Sequence, residues 1–213
     1  MGWNVKVSKG TGDFKPREVC EPDQYPGILV ALIDLGTHSE KAYQAAGTVD
    51  RHSVCVVWEA IGPKTSAGEP FYFADKFGLS LHEKATFRKL LEAGGIVVPE
   101  DLDEFDISSA LGKPYLLEIE VRESDKGNRY SCLAKKNGWA KLPKVMAKMV
   151  TRPTRDFIAW EISQGVMPKH DWLPYLYGKS IEDYHKSCQE IVGRVAAGSG
   201  ISQPDMSDDA IPF

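Results

Sequence analysis

The spacing of apolar residues divides the chain into strands first and helices later. From Gln24 to Leu35 the run QYPGILVALIDL is almost unbroken and rich in branched side chains, which predicts a long strand. His52 to Ile61 (HSVCVVWEAI) is β-branched in the same way and predicts a second strand. Gly62 to Gly68, with Pro63, is a turn-rich break. Glu69 to Leu79 carries Phe71, Tyr72, Phe73 and Phe77 and predicts a third strand. There the period changes. Ser80 with Glu83 three residues on has the pattern of a capping box. Ala85, Phe87, Leu90 and Leu91 fall at helical spacing until Gly94-Gly95 stops them. Lys113 to Arg122 alternates again, with Leu117, Ile119 and Val121 on one face and Glu118, Glu120 and Arg122 on the other. Ser124-Asp125-Lys126-Gly127-Asn128 has hairpin-turn chemistry, and Arg129 to Ala134 completes the hairpin as a fifth strand. Val145 to Trp160 is irregular or partly helical and broken at Pro153. Lys179 to Arg194 is a helix with Ile181, Tyr184, Cys188, Ile191 and Val192 as its apolar stripe.

Three strands, one helix and two strands is the element order of the five-stranded OB barrel. The expected class is therefore mainly β with flanking helices. The expected divisions are an N-terminal arm over 1–23, an OB-fold DNA-binding domain over 24–142, a helical extension over 143–194, and a flexible linker with an acidic tip over 195–213. With 213 residues, 42% of them hydrophobic, the chain is long enough for a real core. No apolar run reaches the ~18 residues of a membrane span, and the N-terminus has no secretory h-region. Cys20, Cys55, Cys132 and Cys188 form no CxxC, which reads as reduced thiols in a cytoplasmic protein.

Charge changes the picture more than composition does. The net charge is −4, yet Arg122 to Arg155 holds ten basic residues against Glu123 and Asp125. That stretch is interleaved with Tyr130 and Trp139, whereas Glu92 to Asp106 is wholly acidic among its charged residues. A charge run is most often a solvated face; one this long and one-signed, with rings in it, points to nucleic acid. The chain ends Asp205-Met206-Ser207-Asp208-Asp209-Ala210-Ile211-Pro212-Phe213, a hydrophobic tip on an acidic tether and a suitable peptide ligand. No zinc, calcium or phosphate-loop pattern is present: His82-Glu83 lacks a second His four residues on, and Gly10-Thr11-Gly12 lacks the lysine. No cofactor and no catalytic cluster are expected.

The tip is similar to that of bacterial and phage single-stranded DNA-binding proteins. The body, through Ile33-Asp34-Leu35-Gly36-Thr37, Val57-Trp58-Glu59, Leu79-Ser80-Leu81-His82-Glu83-Lys84 and Gly112-Lys113-Pro114, resembles phage-encoded members of that group. The resemblance covers roughly residues 20–142 and the last six. It implies a non-enzymatic protein that coats single-stranded DNA in replication, recombination or repair. Asp208, Asp209, Ile211, Pro212 and Phe213 would then recruit replication or recombination proteins, or compete with DNA for the groove. Sequence-tolerant binding needs cations along the backbone path and rings for the bases. On the OB template the groove crosses strands two and three between two loops. That template offers Lys41, Tyr43 and Arg51 from the first loop and Lys126 and Arg129 from the second. Trp58, Tyr72 and Lys76 come from the sheet, and Trp139 and Lys141 from beyond it. Trp58 shares parity with Val54 and Val56 and suits core or groove equally. Tyr72 shares parity with Lys76, which places it outward. A homodimer is preferred, since many such proteins use several barrels per strand; the last helix packs on its own barrel or pairs with another chain. The rival is an OB-fold protein-interaction adaptor without significant DNA affinity.

Overall fold

The computed structural model describes residues 18–41, 47–99, 105–124, 127–134, 138–150, 152–167, 169–176 and 179–198. It is mainly β, with a curled antiparallel sheet that forms a half-barrel. The first three strands are β1 (Gln24–Lys41), β2 (Thr48–Lys64) and β3 (Pro70–Gly78). After α1 (Thr86–Ala93) come β4 (Pro114–Glu123), β5 (Arg129–Leu133) and β6 (Trp139–Lys141). The main path is β3-β2-β1-β4-β5, with β6 pairing β4. All five predicted strands are present, and β1 and β2 run further than predicted. Their pairing continues to Lys41↔Thr48, whereas β3 leaves β2 at Ser53↔Gly78. Beyond that point β1 and β2 form a two-stranded ribbon.

β1 has near-continuous apolar character because both of its faces are buried. Bulges between Leu29 and Ala31 and between Asp34 and Gly36 let it curl while keeping a residue on each side. Gly36, with φ of 70°, supplies the left-handed backbone that the second bulge uses. Leu29 and Leu32 face the inner core, and Ile28, Val30, Ile33 and Leu35 face an outer layer. The inner core adds Val54, Val56 and Trp58 from β2, Phe73 and Phe77 from β3, and Tyr115, Leu117 and Ile119 from β4.

α1 plugs this core with Phe87, Leu90 and Leu91, all fully buried. It starts at Thr86, six residues after the predicted cap. The Ser80 hydroxyl is occupied locally, accepting from the His82 N–H at 3.4 Å. Ala85 at the helix start makes no side-chain cap. The predicted stop holds: Gly95 has φ of 81°, and the Ile96 N–H reaches the Leu91 carbonyl at 3.0 Å.

The extension, irregular in sequence, is a second layer. A 3-10 turn at Lys144–Met149 leads to β7 (Ile158–Trp160), which pairs in parallel with Ala31–Ile33 of β1. The short pair β8 (Tyr175–Leu176) and β9 (Lys179–Ser180) precedes α2 (Ile181–Gly198). α2 begins two residues after its predicted start, with the Ser180 hydroxyl accepting from the Asp183 N–H at 3.1 Å. Its Ile181, His185 and Cys188 are buried, and α2 packs along β1. No helix among the described residues is long and apolar enough to cross a membrane.

Candidate nucleic-acid interface

Alternation puts Cys55, Val57 and Glu59 of β2 and Tyr72, Ala74 and Lys76 of β3 on the outer face, beside the outer residues of β1. This is the face that an OB barrel would offer as a groove. Here it is closed. Trp160, Met167, Trp172, Leu173, Leu176, Ile181 and Cys188 of the extension pack over it.

Two carboxylates pin the cover. Glu59, 3% exposed, accepts the Thr154 N–H at 2.9 Å, the Thr154 hydroxyl at 3.0 Å and the Tyr72 hydroxyl at 3.1 Å. Asp34 meets His52 Nε2 at 2.6 Å and accepts the Gly36 N–H at 2.8 Å and the Ile162 N–H at 3.4 Å. Burial pushes the Asp34 carboxyl up, but these hydrogen bonds outweigh it and hold the group below its ordinary value. The same hydrogen bond raises the His52 imidazole against the opposing effect of burial.

This arrangement corrects four predicted site residues. Trp58 is 0% exposed inside the half-barrel, edge-on to Phe77 and Tyr115 with ring centroids 6.2 Å apart. It is core, and no base can stack on it. Trp139 is 8% exposed and lies 6.1 Å from the Phe77 ring, so it too belongs to the inner core. Tyr72 faces outward as predicted, but its ring packs on Trp172 at 4.8 Å and its hydroxyl is committed to Glu59. Lys76 sits half-buried on the same closed face, opposite Cys55. Lys76 and Trp139 do border one shallow cavity of about 220 Å³ with Asp75, Phe77, Gly78, Thr86, Ala134 and Gly138. Its carboxylate, Asp75, is raised by burial and accepts the Lys76 N–H at 2.8 Å. An acid in its lining makes that cavity a poor phosphate site.

Arg51 on the ribbon, Arg129 at the start of β5 and Lys141 on β6 are exposed, as their predicted role requires. They stand on three different elements, β2, β5 and β6. Tyr43, Lys126, the Lys41 side chain and the tip residues Asp208, Asp209, Ile211, Pro212 and Phe213 lie outside the described residues. One ring noted in the basic stretch was not carried into the candidate groove. Tyr130 is 42% exposed on β5, opposite Arg122 and next to Arg129. The strand pattern contained the signal, since Leu133 points inward and Tyr130 has the opposite parity.

Of the ten basic residues from Arg122 to Arg155, seven are described. Arg122 is paired with Glu120, and Arg155 with Glu69 at 3.0 Å. Arg129, Lys141, Lys144, Lys148 and Arg152 are exposed and join no ion pair among the described residues. Among the described residues no group of three His, Cys, Asp or Glu is arranged to hold a metal, and the four cysteines are thiols that form no disulfide. No family model matches the chain, and no curated protein sequence matches it.

Proposed function

We propose that this protein binds and coats single-stranded DNA, with little sequence preference, during replication, recombination or repair. The half-barrel is read as a five-stranded OB fold, on its strand order and on the helix between β3 and β4. Fold alone does not carry a function. The observation that carries it is electrostatic: five of the stretch's ten cations, Arg129, Lys141, Lys144, Lys148 and Arg152, are exposed and join no ion pair among the described residues, in a chain whose net charge is negative. The acidic tip is read as a recruiting element for replication or recombination proteins. It also acts as a competitor for the cations, since its three Asp mimic a short polyanion.

Titration of labelled single-stranded and duplex oligonucleotides tests the reading. Single strands should bind at low salt, with affinity falling steeply as salt rises. Deleting 205–213 should tighten that binding at low salt. No binding of any oligonucleotide at low salt would overturn the proposal. It would favour the second reading, an OB-fold protein-interaction adaptor. One observation speaks for that reading: Trp58 and Trp139 are buried, and the half-buried Tyr72 ring is taken up by Trp172.

A further inference from the structure

The outer face is aliphatic beneath its cover, with Ile28, Val30, Ile33, Leu35, Cys55 and Val57 at its centre. Its charged groups are the carboxylates Asp34 and Glu59 and the half-buried Lys76. Lifting the cover would therefore expose a mainly aliphatic surface on which Lys76 and the Asp34–His52 pair stand beside Glu59, with no row of cations for a polyanion. A strand needs another path.

The segment 139–152 has the opposite character. Its ends are fixed, by Trp139 in the inner core and by Val150 against the outer layer. Between them nothing is buried: the 3-10 turn Lys144–Met149 contributes no residue to either core. Val145 is 85% and Met149 52% exposed, interleaved with Lys144 and Lys148. With about three residues per turn, such a turn sets Val145 and Lys148 in one row, beside the row of Met146 and Met149. No acidic residue occurs from Trp139 to Arg155. The result is an edge anchored at Trp139 and Val150 that alternates cations for phosphates with apolar side chains that bases can lie against.

We propose that single-stranded nucleic acid runs along this β6 edge, over Lys141, Lys144, Lys148 and Arg152, and not across the outer face of β1–β3. The proposal rests on the single-strand-binding reading and locates it. Val145 and Met149 contact bases, and the four cations contact phosphates.

The test compares the full chain with a K141Q/K144Q/K148Q/R152Q variant and with a K179Q/K186Q control. The control removes two exposed cations from the cover itself. Affinity for an oligothymidylate is measured from low to high salt. Each lost phosphate contact flattens the log–log salt slope of a single strand by about 0.7, so four flatten it by about 3. At the lowest salt the edge variant should bind on the order of a thousandfold more weakly by the same relation. The control should keep the original slope, and both variants should keep the original melting temperature. An unchanged slope in the edge variant, while the unaltered chain binds, would overturn the path alone. An equal loss in the control would do the same. Absence of binding by the unaltered chain would overturn the single-strand reading itself. Loss of affinity only for a free peptide of residues 205–213 would assign the edge to the tip and overturn the nucleic-acid path.

Discussion

The inner and outer layers of this protein are both apolar, but they are held in place by different means. The inner core is locked by shape: Trp58, Phe77, Phe87, Tyr115 and Trp139 meet edge-on or tilted, with centroids 6.1 to 6.2 Å apart. Its parts come from one continuous stretch of chain, 20–139. The outer layer brings a distant segment back onto that sheet. It depends on hydrogen bonds across long sequence separations, from Thr154 to Glu59 and from Ile162 to Asp34. It also buries His185 completely, with neither ring nitrogen partnered. The contrast teaches that the cover can loosen while the half-barrel stands, and not the reverse.

The largest effect should follow damage to the inner core. Phe87→Ala removes a fully buried ring from the plug and should cost about 3–5 kcal/mol. Urea melts followed by tryptophan fluorescence should show both layers lost in one transition. A cover that survives alone would break the comparison.

Glu59→Ala should be milder and selective. It strips the charged acceptor from Thr154 and Tyr72, costing about 2–3 kcal/mol. Limited proteolysis should then cut between 150 and 180 while near-ultraviolet dichroism from the inner rings persists. Protection equal to the unaltered chain would mean that Glu59 is not a pin.

The smallest effect is one of pH. Burial depresses the His185 pKa, outweighing the opposing charge of Asp34. A histidine harder to protonate when folded contributes stability that is complete above the unfolded value of about 6.5. That stability is lost as pH falls from there toward the depressed folded value, by at most about 1.4 kcal/mol per pH unit. His52 has the opposite sign: its raised pKa stabilises at low pH and fades as pH rises through the folded value. That pair is partly exposed and contributes less. Melting temperatures measured from pH 7.5 to 5.5 should fall for the unaltered chain and stay flatter for His185→Leu. Parallel curves would remove His185 from the account.

The half-barrel was largely legible because its information is local. Phe73 and Phe77 turned inward and Tyr72 outward as alternation required. Gly94-Gly95 ended α1 where the sequence put it. The site was far less legible, for a reason visible in β1. A strand with one face in a groove alternates; the unbroken run around Ile28–Ile33 is what two-sided burial produces. It implied a cover, yet parity alone left Trp58 undecided, because both faces are apolar. The cover itself has little periodicity to read. β7 is three residues long, and its partner lies more than a hundred residues upstream. The late start of α1 shows a different limit, a capping residue diverted into a preceding turn.

β7 has one more consequence. β4 pairs with β1 only as far as Ile28, and β7 takes the same margin at Ala31–Ile33. Unclaimed, those amides and carbonyls would be a template on which another molecule's strand could add, next to one of the most aliphatic segments of the chain. The returning segment thus insulates the sheet as well as covering it. On the coating proposal, copies crowded along one polymer would then meet without their strands knitting together.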